Sequence, residues 1–220
     1  MFILRILVLI GVITLVGLGN AFAQIFDISS GGLPTLTGSQ GGSITGSSST
    51  LNDLTVTINW GELSPANTGG IIKATVPIGI RSIAPYQISV SVAGGTNVNL
   101  QGLQKSDVGF GLNRTFGRMG ANSRTCSNST DTFNAAITAD PTVGVTTNAA
   151  GRTTYVSSLN TIVGSTVILS GPNLSVIGGR RTDNGWIITV VFAMTPQFYA
   201  AGTTSTTVTF TIGAGPVLVC

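Results

Sequence analysis

Seven carboxylates and ten cationic side chains make up the formal charge of this 220-residue chain, and histidine is absent. Without histidine there is no Ser-His-Asp or Cys-His nucleophile, and the commonest zinc ligand is missing. Cleavage of a glycosidic bond by paired carboxylates would have to draw on Asp27, Asp53, Glu62, Asp107, Asp131, Asp140 and Asp183. Their spacing brings no two of them to one bond, as that chemistry demands. Two cysteines without a CxxC are too few for a thiolate metal site, and no DxDxDG loop offers calcium its oxygens. Asp131-Thr132-Phe133 opens like an aspartic-protease motif but lacks its glycine, and Gly109-Phe110-Gly111 has no third glycine to cradle a phosphate. The expectation is a protein that is not an enzyme, with no cofactor and no bound metal.

One stretch offers binding rather than catalysis. Asn59 to Pro65, "NWGELSP", sets Glu62 just after Trp60, and a carbohydrate-facing surface near Trp60 or Trp186 is the rival functional reading. The plainer reading of that stretch is a strand end with a solvated glutamate. Asn113-Arg114-Thr115, Asn128-Ser129-Thr130 and Asn173-Leu174-Ser175 match the glycosylation sequon, a pattern that arises by chance in a chain this rich in Asn, Ser and Thr.

Only 8% of the residues are charged. Nucleic-acid binding wants clustered Lys and Arg, and only Arg180-Arg181 are adjacent, with Asp183 close behind. No nucleic-acid partner is expected. A surface of Ser, Thr, Asn and Gly repels its own copies weakly, which eases self-association.

The elements that would carry these residues are strands. "LTVTINW" sets Leu54, Val56, Ile58 and Trp60 on one face and Thr55, Thr57 and Asn59 on the other. Ile71 to Ile80 forms a second strand, which Pro77 assigns to an edge or a bulge. "YQISVSV" aligns Tyr86, Ile88, Val90 and Val92, and a turn at 93–96 leads into "NVNL". "DVGFGL" aligns Val108, Phe110 and Leu112. Residues 113–151 break the pattern and read as a long loop, with one helical turn near Phe133 to Ile137. Strands resume at "TTYVSS" and "STVILS". Asn184-Gly185 suits a tight hairpin turn. Trp186 to Phe192, apolar on both faces, predicts a central strand covered on both sides. Near the end Val208, Phe210 and Ile212 oppose Thr207, Thr209 and Thr211. Eight or nine short strands and Gly-rich turns predict an all-β, antiparallel β-sandwich with Greek-key, immunoglobulin-like connections; a β-barrel is the alternative.

The first residues, "MFILRILVLIGVITLVGLGNAFAQ", carry one cation, an apolar run and a small-x-small site at Ala21-Phe22-Ala23. They predict a signal peptide over 1–23, and a chain that is secreted or held at the cell surface. No second stretch is long and apolar enough to span a membrane. Loss of Arg5 leaves nine basic against seven acidic groups, a net charge of +2. After export Cys126 and Cys220 meet an oxidising compartment, where a bridge would remove about 4–5 kcal/mol of unfolded-state entropy; two free thiols are the alternative. Residues 24–50 are Gly-, Ser- and Thr-rich and read as a flexible arm, ahead of one sandwich domain over 51–220. Ile25, Phe26, Ile28, Leu33 and Leu36 would let that arm complete a neighbour's sheet. A disordered leader, or the first strand of the chain's own sandwich, is the alternative.

The signal peptide, "APYQISVSV" (Ala84 to Val92), "SDVGFGL" (Ser106 to Leu112) and the terminal "TTVTFTI" together resemble the subunits of bacterial chaperone–usher-type pili and the spore-coat-U-like surface proteins. The resemblance implies an incomplete immunoglobulin-like sandwich that polymerises by strand donation outside the cell. Copies of the chain or related surface subunits would be its partners, with a secretion chaperone during export. Two features differ from that pattern: "GAGPVLVC" follows the last strand, and neither cysteine lies near the N-terminus.

Overall fold

Side chains alternating between apolar and polar can only be sorted by an extended backbone with one face buried. The computed structural model describes residues 25–64, 70–92, 104–121, 123, 131–149, 151–174, 184–196 and 202–218, and it follows that rule over 53–60, 86–92 and 204–212. In chain order the strands are β1 (Phe26–Ser30), β2 (Thr35–Thr37), β3 (Ser43–Ser47), β4 (Asp53–Leu63), β5 (Ile72–Ser82), β6 (Tyr86–Val92) and β7 (Val108–Arg118). They continue with β8 (Thr132–Phe133), β9 (Thr146–Thr147), β10 (Thr153–Thr154), β11 (Ser165–Gly171), β12 (Trp186–Met194) and β13 (Gly202–Ala214).

Two antiparallel sheets pack face to face. The first runs β1-β5-β12-β7, with β2 also paired to β5; the second runs β3-β4-β13-β6-β11-β8. Neither closes into a barrel, so the sandwich is the architecture. Residues 146–154 form a separate small hairpin of β9 and β10. The core lies between the sheets, and its largest fully buried side chains include Trp60, Tyr86, Phe110, Phe192 and Phe210. Phe110 and Phe192 are register partners on β7 and β12, with ring centroids 5.3 Å apart.

The alternation predicted for β13 holds: Val208, Phe210 and Ile212 are buried, while Thr207, Thr209 and Thr211 look outward. On that outer face Thr57 and Thr207 share a hydrogen bond of 2.9 Å, and Thr55 and Thr209 another of 2.9 Å, tying β4 to β13 through side chains as well as backbone. β4 continues past Trp60 because Gly61 takes a positive φ of 76°. The bulge shifts the side-chain parity, so Leu63 points inward as Trp60 does.

Pro77 does not lie on an edge strand. β5 runs between β12 and the β1–β2 side, and Pro77 pairs in register with Thr189 of β12. On its other flank β1 ends at Ser30 opposite Ile78, and β2 begins at Thr35 opposite Thr75. The ring therefore sits opposite the break between two short strands, where no amide donor is needed. The turn expected near Phe133 to Ile137 is a two-residue strand followed by a single turn, closed from the Ile137 amide to the Asn134 carbonyl. β12 is central, as its composition demands, with β5 on one side and β7 on the other. The segment leading into Asn184-Gly185, residues 175–183, lies outside the described residues, as do the signal segment, "NVNL", Cys126, Cys220 and Asp183.

Candidate functional site

The carboxylates that would have to supply catalysis are spread through the fold on structural duties. Asp27 pairs with Arg81, the Asp27 Oδ2 lying 2.6 Å from Arg81 Nη1. Asp107, itself buried, takes a two-pronged contact from Arg152, Nε at 3.0 Å and Nη2 at 2.6 Å, and caps its own 3₁₀ turn by accepting from the Gln104 amide at 2.7 Å. Asp140 pairs with Lys73 and accepts from Thr142. Burial pushes the Asp140 carboxyl up, but Lys73 and Thr142 outweigh it and hold it below its ordinary value. Asp53 is wrapped by the turn before it. The Ser49 hydroxyl donates at 2.6 Å, the Ser49 amide at 2.7 Å and the Thr50 hydroxyl at 2.9 Å, and these bonds keep it well below the carboxylate range. Glu62 is exposed near the end of β4. Asp131 lies near Tyr86, whose hydroxyl burial raises well above its usual value, with the Asp131 charge adding to it. Among the described residues no three Asp, Glu, His or Cys side chains gather where a metal could be held.

Of the two tryptophans considered for a sugar face, Trp60 is wholly buried and donates its indole N–H to Thr206 Oγ1 at 2.7 Å. It belongs to the core and cannot stack on a ligand. Trp186 is half buried, its ring edge-on to Phe116 at 5.6 Å, and Phe116 in turn meets Phe133 at 5.7 Å.

That aromatic cluster marks one of the two long seams of the sandwich, where β7 of the first sheet faces β8 of the second. The seam is closed. Phe110 donates its amide to the Ser157 carbonyl at 3.1 Å, and Leu112 to the Thr138 carbonyl at 2.9 Å, so the outer edge of β7 is paired by residues returning from 138 and 157. Tyr155 and Pro141 lie over the outer face of the same sheet, close to Gly109 and Gly111. A Cβ at Gly111 would stand 2.6 Å from Pro141 Cδ, so only glycine lets this cover approach. The cover also explains why Val191 and Ala193, outward on β12, are buried. Residues 131–149, read by sequence as part of the long loop over 113–151, and residues 151–158, where the sequence predicts a strand at "TTYVSS", cover this edge and face.

Among the described residues, no returning segment covers the opposite seam, between β1–β2 and β3. Here lie the residues of the expected arm. Ile28 is buried, Phe26 and Leu36 pack against the core, Ile25 is largely exposed, and Leu33 is 91% exposed. The arm is not a free leader: β1 and β2 pair with β5, and β3 pairs with β4. Composition misled because the few apolar residues at 26, 28, 36 and 44 each find the core, while the glycines between them make turns. β1 is partly capped by the Ile28 amide donating to the Leu51 carbonyl at 3.0 Å. Among the described residues no strand pairs with the outer edge of β3. Between the two edges runs a groove of about 360 Å³, lined by Pro34, Ile44, Gly46, Leu54, Val56 and Val76 among others, with no charged side chain.

In both sheets the strand order is continuous, and β13 fills an interior position of the second sheet between β4 and β6. Comparison with protein-family models, curated proteins and solved structures found no match for this chain.

Proposed function

We propose that this chain is an exported structural protein of the cell surface, a pilus-like or coat subunit that associates with copies of itself or with related subunits through its open seam. The observation that carries the reading is the unequal treatment of the two seams. At one, the β7 edge is paired by returning backbone and covered by Pro141 and Tyr155, and aromatic rings bridge β7 to β8. At the other, no strand among the described residues pairs with the outer edge of β3, which lies beside an uncharged apolar groove. An unpaired edge invites another strand, and natural sandwiches guard such edges with charge, bulges or cover. β3, "SITGS", carries no charged guard. The low charge of the chain removes the general repulsion that would keep copies apart.

One further point supports the reading. The resemblance to pilus and spore-coat-U-like subunits implies the same extracellular, self-associating class. Sedimentation velocity of the processed chain over a wide concentration range, with electron microscopy of a sheared cell-surface fraction, tests it. Species that grow with concentration, and filaments or a coat layer, are expected. Monomer at every concentration, with no assembly on the surface, would overturn it.

A further inference from the structure

Three Asn-x-Ser/Thr triplets have no part in the assembly reading, and the fold treats them differently. A glycan is bulky and hydrated, so the asparagine that carries one must stay outside the folded chain. Asn173, at the head of one triplet, fails that condition. It is half-buried, Leu174 beside it is buried, and the Leu174 amide donates to the Ser82 carbonyl at 2.8 Å. A sugar there would be pressed against the end of β5. Asn128 to Thr130 lies outside the described residues.

Asn113-Arg114-Thr115 meets the condition. All three residues are exposed, although they belong to β7. The reason is a bulge. Asn113 is the register partner of Thr189 and Gly117 that of Ile187, so residues 114–116 stand opposite the single residue Ile188. Within the bulge the Thr115 amide donates to Asn113 Oδ1 at 2.9 Å. That bond turns the carboxamide oxygen back on the chain and leaves its nitrogen as the end a sugar can reach.

The position also has a use. Returning backbone pairs the β7 edge at Phe110 and Leu112, and among the described residues it goes no further along the strand. Asn113 is the first residue past that cover. A glycan on it would shield the remainder of the edge, residues 113–118, from another strand.

We propose that Asn113 is N-glycosylated as the chain is exported, from a glycan carried on a membrane-bound polyprenyl diphosphate. The inference rests on the export half of the proposed function and not on self-association. In the transfer the Asn113 amide nitrogen bonds to the anomeric carbon of the glycan. The bond from that carbon to the diphosphate oxygen breaks, and the polyprenyl diphosphate leaves. One proton of the amide nitrogen passes to a base of the transferase, and nothing is oxidised or reduced.

The test is peptide-level mass spectrometry of the full chain recovered from its own cells, before and after an amidase that releases Asn-linked glycans. The peptide holding Asn113 is expected to carry a glycan, and after release to show an aspartate in place of the asparagine. Thr115→Ala should lose the glycan and Thr115→Ser should keep it, because the transferase reads the hydroxyl. Both changes fall on an exposed side chain, so neither disturbs the core. An exported chain with residues 1–23 removed and Asn113 bare overturns the inference and leaves the export reading standing. So does a glycan found only at Asn128 or Asn173. A chain kept inside the cell with residues 1–23 still attached overturns the export reading, and the inference falls with it.

Discussion

Asp27 and Arg81 form an ion pair across β1 and β5, 2.6 Å between Oδ2 and Nη1, with both side chains nearly buried. Arg81 Nη1 also donates to Ser29 Oγ at 3.3 Å, so one guanidinium holds β1 at two positions. Removing one partner of a buried pair leaves the other charged, desolvated and unmatched. Asp27→Ala should therefore cost about 3 kcal/mol or more in chemical denaturation. The Asp27→Ala/Arg81→Ala double variant should lose clearly less than the sum of the two single losses. Additive losses would show that the pair does not pin the strand.

Trp60 and Thr206 face each other inside the core, and the threonine hydroxyl accepts the indole N–H at 2.7 Å. Thr206→Val keeps the volume but leaves a buried donor without a partner, at a cost of about 1–3 kcal/mol. Combining it with Trp60→Phe, which removes the donor, should recover part of the loss. Urea midpoints of the three variants give the answer.

The cover over the first sheet depends on a side chain being absent. Gly111→Val would drive a methyl-bearing carbon into Pro141 and the Thr138 carbonyl. Overpacking of this kind costs about 1–3 kcal/mol. Limited proteolysis should then cut within residues 131–158 faster than in the unaltered chain, while β13 stays protected.

High pH should unfold the protein through its tyrosines. Burial pushes the Tyr155 phenol up to about 12 from an ordinary 10.0; its hydrogen bond to Thr195 works the other way, and the Asp107 charge adds to the rise. Tyr86 moves in the same direction, chiefly through burial. A group whose folded pKa is raised contributes stability that is whole below its unfolded pKa and is lost as pH rises through the folded value. The melting temperature should therefore hold up to about pH 10 and fall between 10 and 12. Tyr155→Phe should start lower and fall less over that window. An equal fall in both proteins would assign the alkaline loss elsewhere.

Wherever polar and apolar residues alternate without interruption, the sequence was enough to read the strand and its buried face, as for Leu54 to Trp60, Tyr86 to Val92 and Val208 to Ile212. β1, β2 and β3 were hidden because each offers only one or two apolar side chains, and their pairing depends on β4 and β5 rather than on their own pattern. β7 runs to Arg118, past the last buried position at Leu112, because its backbone keeps pairing with β12 where its side chains, apart from the half-buried Phe116, are exposed. Pro77 was assigned to an edge or a bulge because local sequence cannot show that the strand beside it is broken. The closed seam was invisible for a related reason. That residues 138 and 157 pair with β7 is a fact of tertiary structure, and Gly109 and Gly111 hint at it only through the missing side chains.

The central claim is that copies meet at β3 and not at β7. Amide hydrogen exchange of the unaltered chain, compared between dilute and concentrated samples, reads this directly. Residues 43–47 should exchange more slowly as concentration rises, and residues 108–118 should not change. Exchange at 43–47 that ignores concentration, or new protection confined to the β7 side, would contradict the account.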